Sequence, residues 1–340
     1  MSKKVLSIVI ALSMIMCTLP AYAKAEGTTG EPTLILTEAL VLAEEAAGNE
    51  SEGWQWIPDS TGGGTLILEN CYIQSEIYDS IIYFNNLTEE NCKINIVLRG
   101  HNTIEIKKNQ SGSVVTTNML DINGTKNSVP DYIISEDGEG SLDIVYGLPS
   151  DLLYMFSGRS VTIESGDIST NSGFCIIKES FSVLGGSLKI NVPEEVADVD
   201  GIYTINGPVN INGGKVDINV SRCGIFVSGD PSQNQGNQTV NISGGDVNIK
   251  AGFSSIHINK RDLPGEDTQT LNITGGNVTC SGEMTGLYAK NVNIVKGGGY
   301  GKSCCKYIKG RGFRISINYT TRWKDYNFRK YCYSGWDSRI

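Results

Sequence analysis

"VNISGGDVNIK" (240–250) alternates apolar and polar residues on both sides of a Gly-Gly pair. An alternation with a period of two is typical of a β-strand that buries one face. The glycine pair interrupts the alternation, and glycine accepts the positive φ that a sharp bend needs. The stretch therefore predicts two short strands that meet at a bend and turn their apolar residues to the same side. Together with an equivalent stretch at 209–219, it predicts these inward residues: Val240, Ile242, Val247, Ile249, Ile211 and Ile218.

Related stretches recur along the chain, and a third strand-like phrase stands between the copies. The copies are "SVTIESGDIST" (160–170), "FSVLGGSLKIN" (181–191), "VNINGGKVDIN" (209–219) and "LNITGGNVTCS" (271–281). The third phrase reads "GIYTI" (201–205), "GIFVS" (224–228) and "GLYAK" (286–290). The first glycines of the doublets stand at 185, 213, 244 and 275, in steps of 28, 31 and 31 residues. A unit of this length with three short strands and no helical pattern predicts one coil of a parallel β-helix.

These repeats predict an all-β protein, a single-stranded right-handed parallel β-helix of about eight or nine coils over residues 58–295. An end coil exposes apolar strands unless it is capped. Residues 24–57 are predicted to form an N-terminal linker and cap that contains Trp54 and Trp56. Residues 37–48 within that segment fit either a helix or strands.

The first residues have the pattern of a secretory signal peptide. Lys3 and Lys4 precede the apolar run 5–19, and Ala21-Tyr22-Ala23 provides a cleavage site. We therefore expect residues 1–23 to be removed and the protein to be secreted, or extracellular and associated with the cell surface. The rest of the sequence has no apolar run long enough to span a membrane, so no transmembrane segment is expected.

Charge divides the chain into an acidic body and a basic tail. Residues 24–295 carry 15 basic and 35 acidic residues, whereas residues 296–340 carry 11 and 2. Such an acidic body excludes nucleic acid as a partner.

The tail fits two hypotheses: a basic surface-binding segment, or the product of a shifted reading frame. A one-nucleotide shift turns "WKDYN" (323–327) into Gly, then Lys or Arg, then three residues that are each Ile or Thr, which resembles the body. In that case residues 300–340 have no selected fold, and a C-terminal anchor has been lost.

Cysteines and carboxylates indicate little chemistry. The five body cysteines have neither a disulfide framework nor metal-ligand spacing, and we expect them in the core. Glycoside hydrolysis needs two facing carboxylates. Asp217 and Asp246 are expected at equivalent positions of successive coils, but Asn277 follows them. We assign no catalytic residue, and a polysaccharide lyase or hydrolase stays a minor alternative. An outward, structural asparagine ladder is predicted at Asn210, Asn241 and Asn272.

Three groups of residues are candidate binding sites. Trp54 and Trp56 share one face of a strand and could stack on a sugar or plug the end of the solenoid. His257 stands near Lys260 and Arg261, in a cluster that fits a carbohydrate site or a solvated loop. The loop "EEVADVDG" (194–201) offers hard oxygen ligands for calcium, or is an acidic surface loop. Its predicted calcium ligands are Glu194, Glu195, Asp198 and Asp200. No other cofactor is expected.

Residues 50–295 resemble a family of secreted bacterial, carbohydrate-binding, pectate-lyase-like parallel β-helix proteins. The resemblance is carried by "GWQW" (53–56), "GGGTLILENCYI" (62–73), "INIVLRGHNTIEI" (94–106) and the "ITGGNVT" (273–279) type of coil. It implies binding of plant or acidic polysaccharide at a surface, sometimes with calcium, without catalysis. No ligand residues of that family can be transferred, because no site motif matches. We expect a monomer; the alternative function is a structural stalk or adhesin without a sugar ligand.

Overall fold

The computed structural model describes the backbone of residues 33–37, 40–42, 45–60, 62–75, 81–85, 92–106, 118–123, 130–147, 154–205, 207–229, 238–259, 269–296, 299–303, 308–309 and 313–317. All of these lie in the unit Thr33–Ile340. The described chain is all-β and solenoid-like, with a parallel sheet that nearly closes around an axis. Apart from its strands it contains one short 3-10 helix, Glu50–Glu52. The predicted signal peptide lies outside the described residues.

Successive strands follow three lanes along the axis, and each strand pairs in parallel with its counterparts in the neighbouring coils. Val209–Ile211, Thr239–Ile242 and Thr270–Ile273 belong to the first lane. The second lane contains Lys215–Val220, Asp246–Ala251 and Asn277–Gly282. The third lane contains Cys223–Ser228, Ser254–Asn259 and Thr285–Tyr288. Parallel coils are thus confirmed, because the strands on either side of a Gly-Gly pair belong to different lanes.

The earlier coils follow the same three lanes, and in several of them one long strand turns a corner from one lane into the next. Their strands are Leu34–Leu36, Leu40–Leu42, Gly64–Glu69, Tyr72–Ser75, Ile82–Asn85, Lys93–Ile106, Asn118–Asn123, Asp131–Tyr146, Tyr154–Ile163, Asp167–Thr170, Gly173–Val183, Ser187–Asn191 and Ile202–Ile205. Asn291–Lys296 continues the first lane beyond the last complete coil.

The interior contains the apolar residues that the alternation predicted. All six predicted inward residues are at most 1% exposed, so this prediction is confirmed. Cys280 pairs in register with Ile249 and occupies the equivalent core position in the next coil. The five described cysteines are buried free thiols, as expected. Burial raises the pKa of the Cys280 thiol to about 12, which keeps it protonated and unreactive.

Aromatic side chains fill the axis of the first half of the solenoid. The centroids of adjacent rings lie 5.0–6.3 Å apart, within the range of favourable aromatic pairs. The stack begins at the N-terminal end and stops near the middle of the solenoid. Its members are Trp56, Phe84, Tyr132, Phe156, Phe174 and Phe181.

Close stacking of the bends explains the repeated Gly-Gly pair. A Cβ atom on Gly244 would lie 2.2 Å from the carbonyl oxygen of Asn212 in the preceding coil, closer than any real contact. Gly245 has φ +84°, in the left-handed region that residues with a Cβ rarely adopt. The first glycine is therefore required by the neighbouring coil, and the second by the bend itself.

In the described part of the chain, antiparallel strands cover the N-terminal end over the first lane. Ala47–Asn49 and Trp54–Pro58 pair antiparallel with each other, and the latter pairs antiparallel with Gly64–Glu69. Leu34–Leu36 and Leu40–Leu42 instead pair in parallel with the second and third lanes. Part of the predicted cap is therefore an incomplete first coil. The helix alternative for residues 37–48 does not hold at 40–42 and 47–48, which are strands.

Three tail segments cover the last coil. Gly299–Ser303 pairs antiparallel with the first lane, Phe313–Ile317 with the second and Ile308–Lys309 with the third. The described backbone of the tail thus differs from the expectation of a segment that does not pack on the body. The rest of the tail lies outside the described residues, and the reading-frame hypothesis stays a prediction.

Replacing Gly245 with alanine should destabilise the fold through both strain and a clash. The left-handed conformation costs roughly 1–2 kcal/mol for a residue with a Cβ, and the added atom would lie 2.7 Å from the carbonyl oxygen of Gly214. Gly138→Ala is the matched control, because Gly138 has φ +93° but nothing within 4 Å of its Cβ position. Urea unfolding should show a larger loss for Gly245→Ala. Equal losses of stability in the two variants would contradict the contribution assigned to coil stacking.

Truncation after residue 296 should destabilise the last coil, because it uncovers the strand edges of all three lanes. We expect a lower melting temperature and faster amide exchange in 277–296, while exchange in 160–190 stays unchanged. Unchanged stability and exchange would instead favour the shifted reading frame, which resequencing of the codons for Gly297–Gly299 checks directly.

Candidate functional site

Four rings stand one above another on the outer face of the third lane. Tyr203, Phe226, His257 and Tyr288 occupy equivalent positions of four successive coils. Tyr203 stacks on Phe226 at 4.9 Å, and His257 stacks on Tyr288 at 4.4 Å. Phe226 meets His257 edge to face at 5.3 Å. We call these four residues the outer aromatic ladder.

A second row of side chains lies beside the ladder, at the turn that enters the third lane. Arg222, Phe253 and Met284 stack there, because the amide of Phe253 donates to the carbonyl of Arg222 and that of Met284 to the carbonyl of Phe253. Phe253 is 37% exposed and Met284 54% exposed. The ring of Phe253 lies 5.8 Å from that of His257. We call the ladder and this row together the aromatic patch.

A buried carboxylate fixes one edge of the aromatic patch. Asp200 is 1% exposed, accepts a hydrogen bond from Nη1 of Arg222 at 2.9 Å, and accepts another from the amide of Cys223 at 3.0 Å. Burial raises the pKa of Asp200 to about 6, although the charge of Arg222 opposes this shift. The guanidinium of Arg222 lies 5.4 Å from the ring centre of Phe226, within cation–π range. Asp200 therefore orients the cation that packs on the ladder.

His257 is a neutral member of the ladder. Burial, together with the smaller effect of the charge of Arg222, lowers its pKa to about 4. Its Nδ1 atom is buried and has no hydrogen-bond partner among the described residues. His257 therefore packs at neutral pH as an uncharged ring between Phe226 and Tyr288. Lys260 and Arg261, predicted with it as a carbohydrate site, lie outside the described residues.

The predicted tryptophan pair lies at the other end of the solenoid. Trp56 is 1% exposed and packs on Phe84 with ring centroids 5.4 Å apart. Trp54 is half-buried, and its Nε1 donates to Glu52 at 2.9 Å. A buried ring cannot stack on a sugar, so the position of Trp56 favours the plug over the sugar platform.

The predicted calcium loop does not bring its carboxylates together. Asp200 points inward to Arg222, whereas the side chain of Glu194 is 91% exposed and comes no closer than 4.0 Å to Lys250. Glu195 is exposed, and Asp198 takes a left-handed backbone conformation with φ +61°. Among the residues that the structure describes, no group of three or more His, Cys, Asp or Glu side chains could hold a metal ion. The geometry gives the calcium prediction no support.

Outward polar residues at equivalent positions of neighbouring coils pair with one another within a lane. The amide of Asn241 donates to Asn210 at 2.9 Å, and Asn272 donates to Asn241 at 2.8 Å, so the asparagine ladder is confirmed. The expected equivalence of Asp217 and Asp246 is wrong. Asp217 pairs in register with Asn248, whereas Asp246 stands between Lys215 and Asn277. Asp246 stands two residues before Asn248, so the two carboxylates are offset along the strand direction.

Sequence reasoning found His257 but missed the other members of the aromatic patch. The signal was present in the third phrase of the repeat, where Tyr203, Phe226 and Tyr288 follow Gly-Ile or Gly-Leu. The alternation of that phrase by itself predicts only a strand. Aligning the phrases at their glycines places these three rings on one outward line, whereas the longer phrase of His257, with two serines after Gly-Phe, hides its register.

Comparisons with protein-family models, with curated proteins and with solved structures find no match to this chain. The resemblance to the pectate-lyase-like family therefore stays a prediction. In the described part of the chain, no helix is long and apolar enough to cross a membrane.

The folded protein should lose stability on acidification through His257. Its pKa is 6.5 in the unfolded chain and about 4 in the fold, so between these values the unfolded state binds the proton more tightly. The loss should reach about 2 kcal/mol at pH 4 after allowance for partial exposure of the ring. This loss of stability on acidification should be absent in the His257→Gln variant.

Urea unfolding of both proteins between pH 7 and pH 4 measures this effect as a difference between two profiles. Titration of Asp200 changes the stability in the opposite direction, because its pKa is raised in the fold and protonation therefore adds stability as the pH falls. This contribution should be the same in wild type and in His257→Gln. Parallel pH profiles for wild type and His257→Gln would contradict the role assigned to the ring.

Proposed function

We propose that this chain is a secreted or cell-surface, non-catalytic polysaccharide-binding protein whose ligand lies on the aromatic patch. The observation that carries the proposal is the exposure of Phe253 and Met284 beside four ladder rings on the outer face. Contiguous exposed apolar surface marks interaction sites on soluble proteins. A pyranose ring has an apolar face that packs on such side chains and hydroxyl groups that bond to polar neighbours.

The repetition of the aromatic patch favours a long ligand over a single sugar. Parallel coils are spaced by about 4.8 Å, and each of four coils contributes one ring to the ladder. A polysaccharide that lies along the axis would contact several coils at once. Many weak contacts on one rigid surface give avidity that no single sugar unit provides.

We also propose the finer architecture that the repeats predict, a right-handed β-helix of eight or nine coils. In the described chain, nine segments follow one another in the first lane, from Gly64–Glu69 to Asn291–Lys296. Connections between parallel strands of one sheet are right-handed in almost all proteins. A monomer is the proposed state.

A structural stalk or adhesin without a sugar ligand is the second candidate function. It is favoured by the stacking within the ladder, because Tyr203 and Phe226 cover each other's faces, as do His257 and Tyr288. Such stacking stabilises a long solenoid without any ligand. It leaves unexplained the exposure of Phe253 and Met284, which are not needed to join the coils. A polysaccharide lyase or hydrolase stays the minor alternative, which assays for unsaturated or reducing ends would reveal.

Binding to polysaccharides should depend on Phe253 and Met284. In affinity electrophoresis against a panel of soluble polysaccharides, the double variant Phe253→Ala/Met284→Ala should bind at least about tenfold more weakly, as expected for losing two central apolar contacts. The matched control is Leu184→Ala, because Leu184 is 49% exposed outside the patch. Binding lost equally in both variants would refute the assigned site, and absence of binding by wild type would favour the stalk.

A further inference from the structure

We infer that the aromatic patch selects uncharged polysaccharides and discriminates against acidic ones. The inference rests on the proposed function and narrows its ligand. It opposes the acidic polysaccharide that the family resemblance implies. Its basis is the charge state of the described side chains in and around the patch.

The one described cation of the aromatic patch is already paired. Nη1 of Arg222 lies 2.9 Å from Oδ2 of Asp200, a carboxylate that is 1% exposed. A ligand carboxylate that displaced Asp200 would have to break this ion pair. Breaking it would leave Asp200 buried without its cation, which is strongly unfavourable. Arg222 is thus held for packing on Phe226, and Asp200 already offsets its charge before any ligand carboxylate binds.

The imidazole in the ladder adds no positive charge. Burial, helped by the charge of Arg222, keeps the pKa of His257 near 4, so the ring is neutral at physiological pH. Its neighbours Phe226 and Tyr288 are likewise uncharged. A bound carboxylate would face an apolar surface without a counter-charge, and desolvating it would cost free energy.

Charges around the aromatic patch also disfavour an anion. Glu283 precedes Met284 in the same turn and is exposed. The acidic body, with 35 acidic against 15 basic residues, repels polyanions at low salt. Calcium could bridge two anions, but the carboxylates of the loop 194–201 do not converge. The exposed carboxylate of Glu283 and the net charge of the body therefore disfavour an acidic sugar.

Neutral hydrogen-bonding groups are present at the edge of the ladder. The hydroxyl of Ser228 donates to the phenol oxygen of Tyr203 at 3.1 Å, and both side chains are only partly buried. Hydroxyl groups both donate and accept, as sugar hydroxyls do. The patch thus combines apolar contact with uncharged polar groups, which suits a neutral polysaccharide.

Affinity electrophoresis of the full chain tests the inference with two kinds of probe. Hydroxyethylcellulose, arabinoxylan and galactomannan are the neutral probes, and polygalacturonate and alginate the acidic ones. We expect retardation by at least one neutral probe, with affinity that changes less than twofold between low salt and about 0.5 M NaCl, because screening acts only on charges. We expect at least about tenfold weaker binding of both acidic probes, equivalent to 1.4 kcal/mol.

A pair of substitutions at one exposed position separates charge from packing. Met284→Gln and Met284→Lys remove the same apolar contact, and only the second adds a cation. For a neutral ligand both variants should lose affinity by a similar factor. Wild-type preference for an acidic probe, or stronger binding by Met284→Lys than by wild type to the probe that wild type prefers, would overturn the inference while leaving the proposed function standing. Binding to no polysaccharide would overturn both.

Discussion

The fold depends on the close approach between the bend of one coil and the bend of the next. At each doublet the first glycine lies against a carbonyl oxygen of the preceding coil, at Glu164, Leu184, Asn212 and Ser243 in turn. This contact sets the register of the two flanking strands in each coil that has a doublet. Because the side-chain period of a strand is two, a slip of one residue would turn the whole apolar set outward. The phrase is therefore repeated because the same packing constraint acts in each successive coil.

The two halves of the solenoid use aromatic rings differently. In the first half the rings fill the axis, from Trp56 to Phe181, where their burial stabilises the core. In the second half the core positions are aliphatic, and the rings stand on the outer face of the third lane. Core packing alone does not require this change. Rings on an outer face that also leave Phe253 and Met284 exposed fit a surface that has a ligand.

The sequence predicted the fold well because a single pattern determined it. Alternation identified the inward residues, and the glycine doublets identified the bends and the parallel stacking. Alternation alone could not decide the ends, where capping strands such as Trp54–Pro58 have the same period as coil strands but pair antiparallel. The register of Asp217 against Asn248 was missed, although aligning the two stretches at their glycine pairs places each of these residues three positions after the second glycine.

The candidate site was harder to predict because its residues owe their role to alignment between coils. His257 is one of two histidines in the chain, and its sequence neighbours Lys260 and Arg261 predict a charged cluster. In the fold its ring neighbours are Phe226 and Tyr288, which are 31 residues away on either side. The local sequence thus predicted that His257 belongs to a charged cluster, whereas in the solenoid it packs against aromatic rings. The fold also explains why Asp200 is buried: it lies at the end of the loop 192–201 that leads into the third lane, where its carboxylate accepts the amide of Cys223 and holds Arg222 at the turn. A loop that looked like a cation site by composition instead neutralises the protein's own cation, which leaves the aromatic patch uncharged.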